Sequence, residues 1–369
     1  MTFTSSPFVN TTLEVIFDVE SGHAIPVITR TFATILIIVA PLTVLANIGT
    51  SLAFWREPSL RQKPSDLLLV SLTCCDLGMG AIVMPLSAMY GLGIHVLDET
   101  GCRFLWNLPA DMFTCVGTLT MMMISRDRYL LVASEYPKYL KIQTRKRITL
   151  EISIIWCFSI AVGVLDVSVW DFAKTISMEA RLIDFNQYCL SPSKKADIFA
   201  LPIYLLVVLF PTLAVVAFSV LFMKNLRHRL RQRVGPMMET EQSSAVESNN
   251  QHRPSAGRNN ANEVQVHHHH HHHNTDARVK NRRYIKPAVT LGLLVAAMGL
   301  CIGPYCIFNI VAAILCPACD HPDTRQLLIM IMLLNSFLNP FLYTMTNSKI
   351  RQYFRNMFSR VISRRSVFN

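Results

Sequence analysis

The chain has 369 residues, of which 51% are hydrophobic and only 16% charged. Soluble domains carry about 25% charged residues, so this composition excludes an ordinary soluble protein. The net charge of +11 would suit nucleic acid, but the basic residues flank apolar runs instead of forming a binding face, and nucleic acid is not an expected partner.

In chain order, residues 1–30 form a polar tail without a basic start and apolar run, so no cleavable signal peptide is expected and the first span serves as its own signal. The tail holds a glycosylation sequon, Asn10-Thr11-Thr12. Seven apolar segments follow, near 31–55, 66–92, 103–127, 148–170, 198–223, 285–313 and 324–346. Each has about the ~20 residues that a helix needs to cross a bilayer, and none shows the alternation of a transmembrane strand. Segments 56–63, 126–147, 224–286 and 349–365 hold 28 of the 35 Lys+Arg residues. The positive-inside rule then places the N-terminus outside and the C-terminus in the cytosol.

Residues 225–283 make one long loop, whose Ser-, Asn-, Glu- and His-rich middle, 239–274, is expected to be disordered. Its run His267 to His273 is either a metal-binding tract or low-complexity drift. Beyond the last span, Ile350, Tyr353, Phe354, Met357, Phe358, Val361 and Ile362 share one helix face, with Arg351, Arg355 and Arg360 between them. That pattern predicts an amphipathic helix lying on membrane lipid. The third span closes on three charges, Arg126, Asp127 and Arg128. Charge within a span is costly, so this is either a helix end with snorkelling arginines or a functional mark.

Polar residues in the other spans bear on that choice: Asn47, Asp76, Trp156, Pro211, Cys301-Ile302-Gly303-Pro304, and Asn335-Ser336-Phe337-Leu338-Asn339-Pro340-Phe341-Leu342-Tyr343. Taken with Asp127-Arg128-Tyr129, one marker per helix and in order, the chain resembles the rhodopsin-like (class A) G-protein-coupled receptors from about Thr31 to Phe358. The resemblance implies an all-α fold: a seven-transmembrane helix bundle with a C-terminal amphipathic membrane-surface helix. It divides the chain into an extracellular tail (1–30), a receptor domain (31–346) and an amphipathic helix with a short cytoplasmic tail (347–369). It implies a multi-pass plasma-membrane receptor, not an enzyme, that passes an extracellular ligand's binding to a heterotrimeric G protein, with arrestin and membrane lipids as further partners.

Residue by residue, the resemblance makes Asp127, Arg128, Tyr129, Asn339, Pro340 and Tyr343 the coupling switch. Pro211 and Pro304 become helix kinks, each removing a backbone hydrogen bond. Asp76, Asn335, Ser336 and Asn339 would form a core polar network holding either a sodium ion or water, with Gly117 at the position that usually adds a hydroxyl. No other cofactor is implied, and retinal is disfavoured because Leu333 stands where a Schiff-base lysine would be. Cys102 and Cys189 match the family's disulfide, and Cys316 with Cys319 offers a second small ring. Cys102 to Arg128 is 26 positions, one longer than the family's usual spacing, which leaves the upper third helix uncertain by one.

Departures matter as much. Ile302 replaces the sixth-helix toggle tryptophan, Met298 the aromatic below it, and Ser219 the fifth-helix tyrosine; Tyr284 stands where an acid often locks Arg128. These substitutions predict an inactive state held less firmly. For the ligand, an amine, a peptide or another small molecule stays open: Asp111 is one position from the amine-binding site, where Ala110 lies, and Asp166, Trp170 and Ile302 are further pocket candidates. The competing classes are a seven-helix protein that binds ligand without coupling to G proteins, and a channel or transporter; the spans show no internal repeat of the kind transporters carry.

Overall fold

The computed structural model describes residues 7–60, 64–134, 136–176, 202, 204–249, 292–312 and 322–365; for 7–26, 169–176, 230–249 and 360–365 only the backbone is described. Among the described residues, seven helices are long and apolar enough to cross a membrane. They are α1 (Val27–Arg56), α2 (Asp66–Gly91), α3 (Glu99–Ala133), α4 (Arg145–Ser168), α5 (Leu205–Arg229), α6 (Gly292–Ile310) and α7 (Asp323–Met345). An eighth, α8 (Ser348–Arg365), follows α7. Hydrocarbon offers no water to backbone N–H and C=O groups, so a continuous apolar run closes its bonds within itself as helix. No strand occurs among the described residues.

Helix α3 is the axis of the bundle, packing against α2, α4 and α5, while α1 packs on α2 and α7. One face of each span is buried in a shared core that includes Leu72, Met121, Met298 and Leu333; side chains such as Ile38, Leu165, Leu213 and Leu300 face outward, as in a helix wetted by lipid. The apolar face of α8 docks on the bundle: Ile350 is fully buried, and a Cβ at Gly49 would lie 2.9 Å from the Phe354 ring. Only glycine lets that ring sit against α1.

Two bounds differ from the sequence reading. Backbone helix begins at Pro7, so much of the polar tail continues the first span upward. The fifth helix runs on to Asn249, into the stretch expected to be disordered. Met237, Met238, Glu239, Glu241 and Gln242 are good helix formers, which average loop composition conceals. The remainder of that stretch, with its histidine run, lies outside the described residues.

Three spans contain a turn of π-helix: Met79–Val83 in α2, Cys102–Asn107 in α3 and Leu205–Leu209 in α5. Each ends two residues before a proline: Pro85, Pro109 and Pro211. Proline has no N–H for the carbonyl four residues back, and its ring crowds that carbonyl; a wider turn relieves the crowding. A π turn also absorbs one extra residue. The turn at Cys102–Asn107 is therefore where the long Cys102–Arg128 spacing is taken up, and from Leu108 to Ala133 the helix is regular α.

Candidate functional site

Consecutive helical residues point about 100° apart, and the three charges at the foot of α3 go three ways. Arg126 reaches α4, where its Nη2 donates to both carboxylate oxygens of Glu151 at 2.8 and 2.9 Å, and Arg147 donates to the same carboxylate at 3.0 Å. Asp127 points beneath α3 and is 1% exposed. Its Oδ1 accepts from Tyr139 Oη at 2.8 Å and from Gln143 Nε2 at 3.1 Å. Tyr139 lies on a short helix, Tyr136–Ile142, between α3 and α4. Burial, and then the charge of Asp127, push the Tyr139 phenol well above its ordinary range, so it stays a donor.

The other oxygen, Asp127 Oδ2, faces Arg128 Nη1 at 3.7 Å. That is an ion pair but longer than a hydrogen bond. The tight bonds of Asp127 thus go to the loop helix, and its hold on Arg128 is electrostatic. Tyr129 stacks obliquely on Phe218 of α5 with ring centroids 6.0 Å apart, and Arg229 of α5 donates to the Ser134 carbonyl at 3.2 Å. The foot of α3 is in this way tied to α4, α5 and the loop helix together.

Midway along the bundle, Asn339 Nδ2 donates to Asp76 Oδ2 at 2.9 Å, and the Ser336 side chain bonds the same carboxylate. Asn47 Nδ2 donates to the carbonyls of Thr43 at 2.9 Å and Ser336 at 3.3 Å. The Ser336 carbonyl is the one that Pro340, having no N–H, leaves without its helical partner. Asn47 Oδ1, Asn335 Oδ1 and Asn339 Oδ1 are buried without a protein donor among the described residues. Tyr343 is 1% exposed nearby in the core. Asp76, Ser336 and Asn339 thus meet in one buried cluster, while Asn335 lies half-buried on the same helix as Ser336 and Asn339.

Toward the Cys102 end, counting back from Arg128 is secure as far as Leu108. Ala110 occupies the position that an amine's aspartate would take. Asp111 is turned toward α4, where its carboxyl hydrogen-bonds the carboxyl of Asp166. This contact engages each carboxyl with the other. Ile302 and Met298 are buried in the shared core, and the Ser219 hydroxyl turns back to its own helix at the Val215 carbonyl. Cys102 is buried and disulfide-bonded. Cys189, Cys316, Cys319 and Tyr284 lie outside the described residues, and Asn10 and Trp170 are described in backbone alone. Trp156 donates from Nε1 to Ser71 Oγ at 3.0 Å, joining α4 to α2.

Sequence reasoning missed Tyr139 and Gln143. They stand 12 and 16 positions beyond Asp127 in a polar loop, where no periodicity announces a partner. It also passed over Thr118, whose hydroxyl reaches across to α5.

Compared with known proteins, residues 46–343 match the model of the 7 transmembrane receptor (rhodopsin family). The chain is similar to 5-hydroxytryptamine receptor 1B of Cricetulus griseus, 26% identical over 335 residues that cover 88% of this chain and 85% of that receptor. The receptors of the same name from Mus musculus and Homo sapiens are each 26% identical over 335 residues, covering 88% of this chain and 85% and 84% of theirs.

Proposed function

The chain belongs to the rhodopsin family of seven-transmembrane receptors, and from that premise we propose that it carries an extracellular ligand signal to a heterotrimeric G protein through Arg128. The observation that carries this reading is the buried Asp127, which holds Arg128 by charge at 3.7 Å while bonding the loop helix tightly. Releasing Arg128 breaks no hydrogen bond with Asp127, and Tyr139 and Gln143 keep the Oδ1 side of the carboxylate bonded while Oδ2 gives up its cation. The basic end of the bundle is then cytosolic, as the Lys+Arg distribution requires, with the N-terminus outside. Arrestin would meet the same face, and α8 would rest on lipid with its arginines toward the headgroups.

The Asp76 region fits a sodium ion by its chemistry: a carboxylate, the Ser336 hydroxyl, and buried side-chain amide oxygens without protein donors. Asp76, Ser336 and the neighbouring amides would hold the ion, which would supply positive charge to a buried carboxylate. Gly117 adds no ligand. In this reading the carboxyl of Asp111 serves its contact with Asp166 and is not the ligand's anchor. The relatives' name specifies an amine; an amine binding here would take another acceptor or displace Asp166.

Nucleotide exchange on a panel of purified G proteins, with and without a broad ligand library, tests the reading. Arg128→Ala is expected to remove both basal and ligand-driven exchange at matched surface expression. Survival of either signal would remove Arg128 from the coupling role.

A further inference from the structure

Asp127 stands between two arginines of its own helix, one position to each side. Adjacent helical side chains point about 100° apart, so Arg126 and Arg128 flank the carboxylate from opposite sides. Arg128 shows that such a neighbour reaches it, with Nη1 3.7 Å from Oδ2. That oxygen is buried and has no hydrogen-bond donor among the described residues. It is the open half of the carboxylate, and Arg126 is as near to it along the chain as Arg128. Arg126 is nonetheless drawn the other way, its Nη2 lying 2.8 and 2.9 Å from the two carboxylate oxygens of Glu151 on α4. Glu151 is itself steadied by Arg147, one turn before it, whose Nε donates to the carboxylate at 3.0 Å and whose Nη1 donates to the Ile142 carbonyl at 3.4 Å. The Glu151 side chain is 15% exposed and that of Arg126 24%, so these charge-assisted bonds are more sheltered than those of an ordinary surface pair.

We infer that Glu151 is a positioning residue for the switch: by holding Arg126 against α4, it reserves Asp127 for Arg128. The inference rests on the coupling reading above and adds to it a selector on a second helix. Freed from Glu151, Arg126 would bring a second cation to Asp127 Oδ2, and that cation acts on the switch in one direction. While Arg128 is in place, it repels the guanidinium beside it. Once Arg128 has left, it supplies the charge that the buried carboxylate has lost. Both effects favour release. In the intact receptor Glu151 neutralises Arg126, so departure of Arg128 leaves Oδ2 without a cation and the closed pair is favoured. A bridge that only fastened α3 to α4 would behave differently. It would be lost equally whichever partner was replaced, whereas a selector makes the two substitutions unlike: removing Glu151 liberates a competitor, and removing Arg126 removes it.

The test uses the full chain in two measurements. One is ligand-independent nucleotide exchange on G proteins at matched surface receptor. The other is the NMR signal of isotope-labelled arginine side chains in detergent-purified receptor, with those of Arg126 and Arg128 identified by substitution. Glu151→Gln keeps shape and removes the charge that holds Arg126. It is expected to raise basal exchange about threefold, the equivalent of ~0.65 kcal/mol and within the span of partly exposed ion pairs. It is also expected to move the Arg128 signal toward that of a free arginine. Arg126→Gln breaks the same bridge without supplying a competitor, so exchange and the Arg128 signal should match the wild type. Adding Arg126→Gln to Glu151→Gln should return both measurements to wild type. Should Glu151→Gln reach the surface poorly, Glu151→Met, which fills the site with an apolar stem, takes its place with the same expected outcomes. The inference is overturned by a Glu151→Gln receptor indistinguishable from wild type in both measurements, by an Arg126→Gln receptor as altered as Glu151→Gln, or by a Glu151→Gln effect that persists undiminished with Arg126→Gln. Arg128→Ala serves as the separate arm. If it leaves exchange intact, the coupling reading fails, while the Arg128 signal in Glu151→Gln still decides which arginine Asp127 holds.

Discussion

Replacing Tyr139 with Phe removes one of the two hydrogen bonds to Asp127 Oδ1 and leaves the ring in place. A hydrogen bond to a charged partner contributes about 1.5–3 kcal/mol. Its weight differs between the two states of the switch. With Arg128 at 3.7 Å, the carboxylate has a nearby cation; once Arg128 leaves, the buried charge depends on Tyr139 and Gln143 alone. The substitution therefore penalises the released state more than the closed one. Taking the lower end as the differential, Tyr139→Phe should reduce the population with Arg128 free about tenfold. The assay is ligand-independent and ligand-driven nucleotide exchange at matched surface receptor, where a fall of that order is expected and Gln143→Leu should act in the same direction. Exchange that rises, or stays within twofold of wild type for both variants, would refute the reasoning. The pH dependence follows with a definite sign. Burial first, and then Asp127, favour the neutral phenol and raise its folded-state pKa above the ordinary value of about 10. The bond is then fully present below that ordinary value and is lost only as pH rises through the higher folded one. The ratio of wild-type to Tyr139→Phe exchange should accordingly be flat between pH 6 and 9.

Two further outcomes are expected. Gly78 of α2 lies where a Cβ would run into the Phe113 ring of α3, so Gly78→Ala should destabilise the receptor by about 1–3 kcal/mol through overpacking, read as a lower thermal midpoint in detergent. Gly299→Ala, with nothing within 4 Å of its Cβ, is the control and should show no such loss. Asp111→Asn keeps a donor toward Asp166, so surface expression and any response to a panel of amine ligands should stay within twofold of wild type. A tenfold or larger loss of an amine response would return Asp111 to the binding site.

Much of this architecture was legible because hydrocarbon enforces it. Continuous apolar runs leave the backbone no alternative to helix, and Asp76, Asn339 and Arg128 stand out because polar groups are costly there. Asp76 and Asn339 do meet, at 2.9 Å. The prolines announced that backbone bonds would be missing, but not who would replace them. Asn47 and Thr118 do so from other helices, and such pairings depend on helix rotation and approach, which periodicity does not encode. The extra residue between Cys102 and Arg128 was countable, yet its place became visible only as the π turn before Pro109. That placement shifted Asp111 from the bundle centre toward α4. The loop helix with Tyr139 and Gln143 carried no pattern, since a two-turn element in a polar loop is held by its contacts and not by its own propensity.

A residue added to a packed helix normally rotates everything beyond it by about 100°, exchanging buried for exposed faces. In α3 the addition is parked in the turn just before Pro109, where the backbone ladder is already interrupted. The rotation is spent within the last turns near Cys102, and the regular stretch from Leu108 to Ala133 keeps its register down to Arg128. Insertions and deletions in this helix are therefore not equal. One residue gained or lost among 102–107 re-aims only the mouth of the bundle, whereas one gained or lost below Leu108 would turn Asp127 and Arg128 away from Tyr139 and α5. The helix has one end that tolerates such a change and another whose register must hold for Arg128 to keep its place.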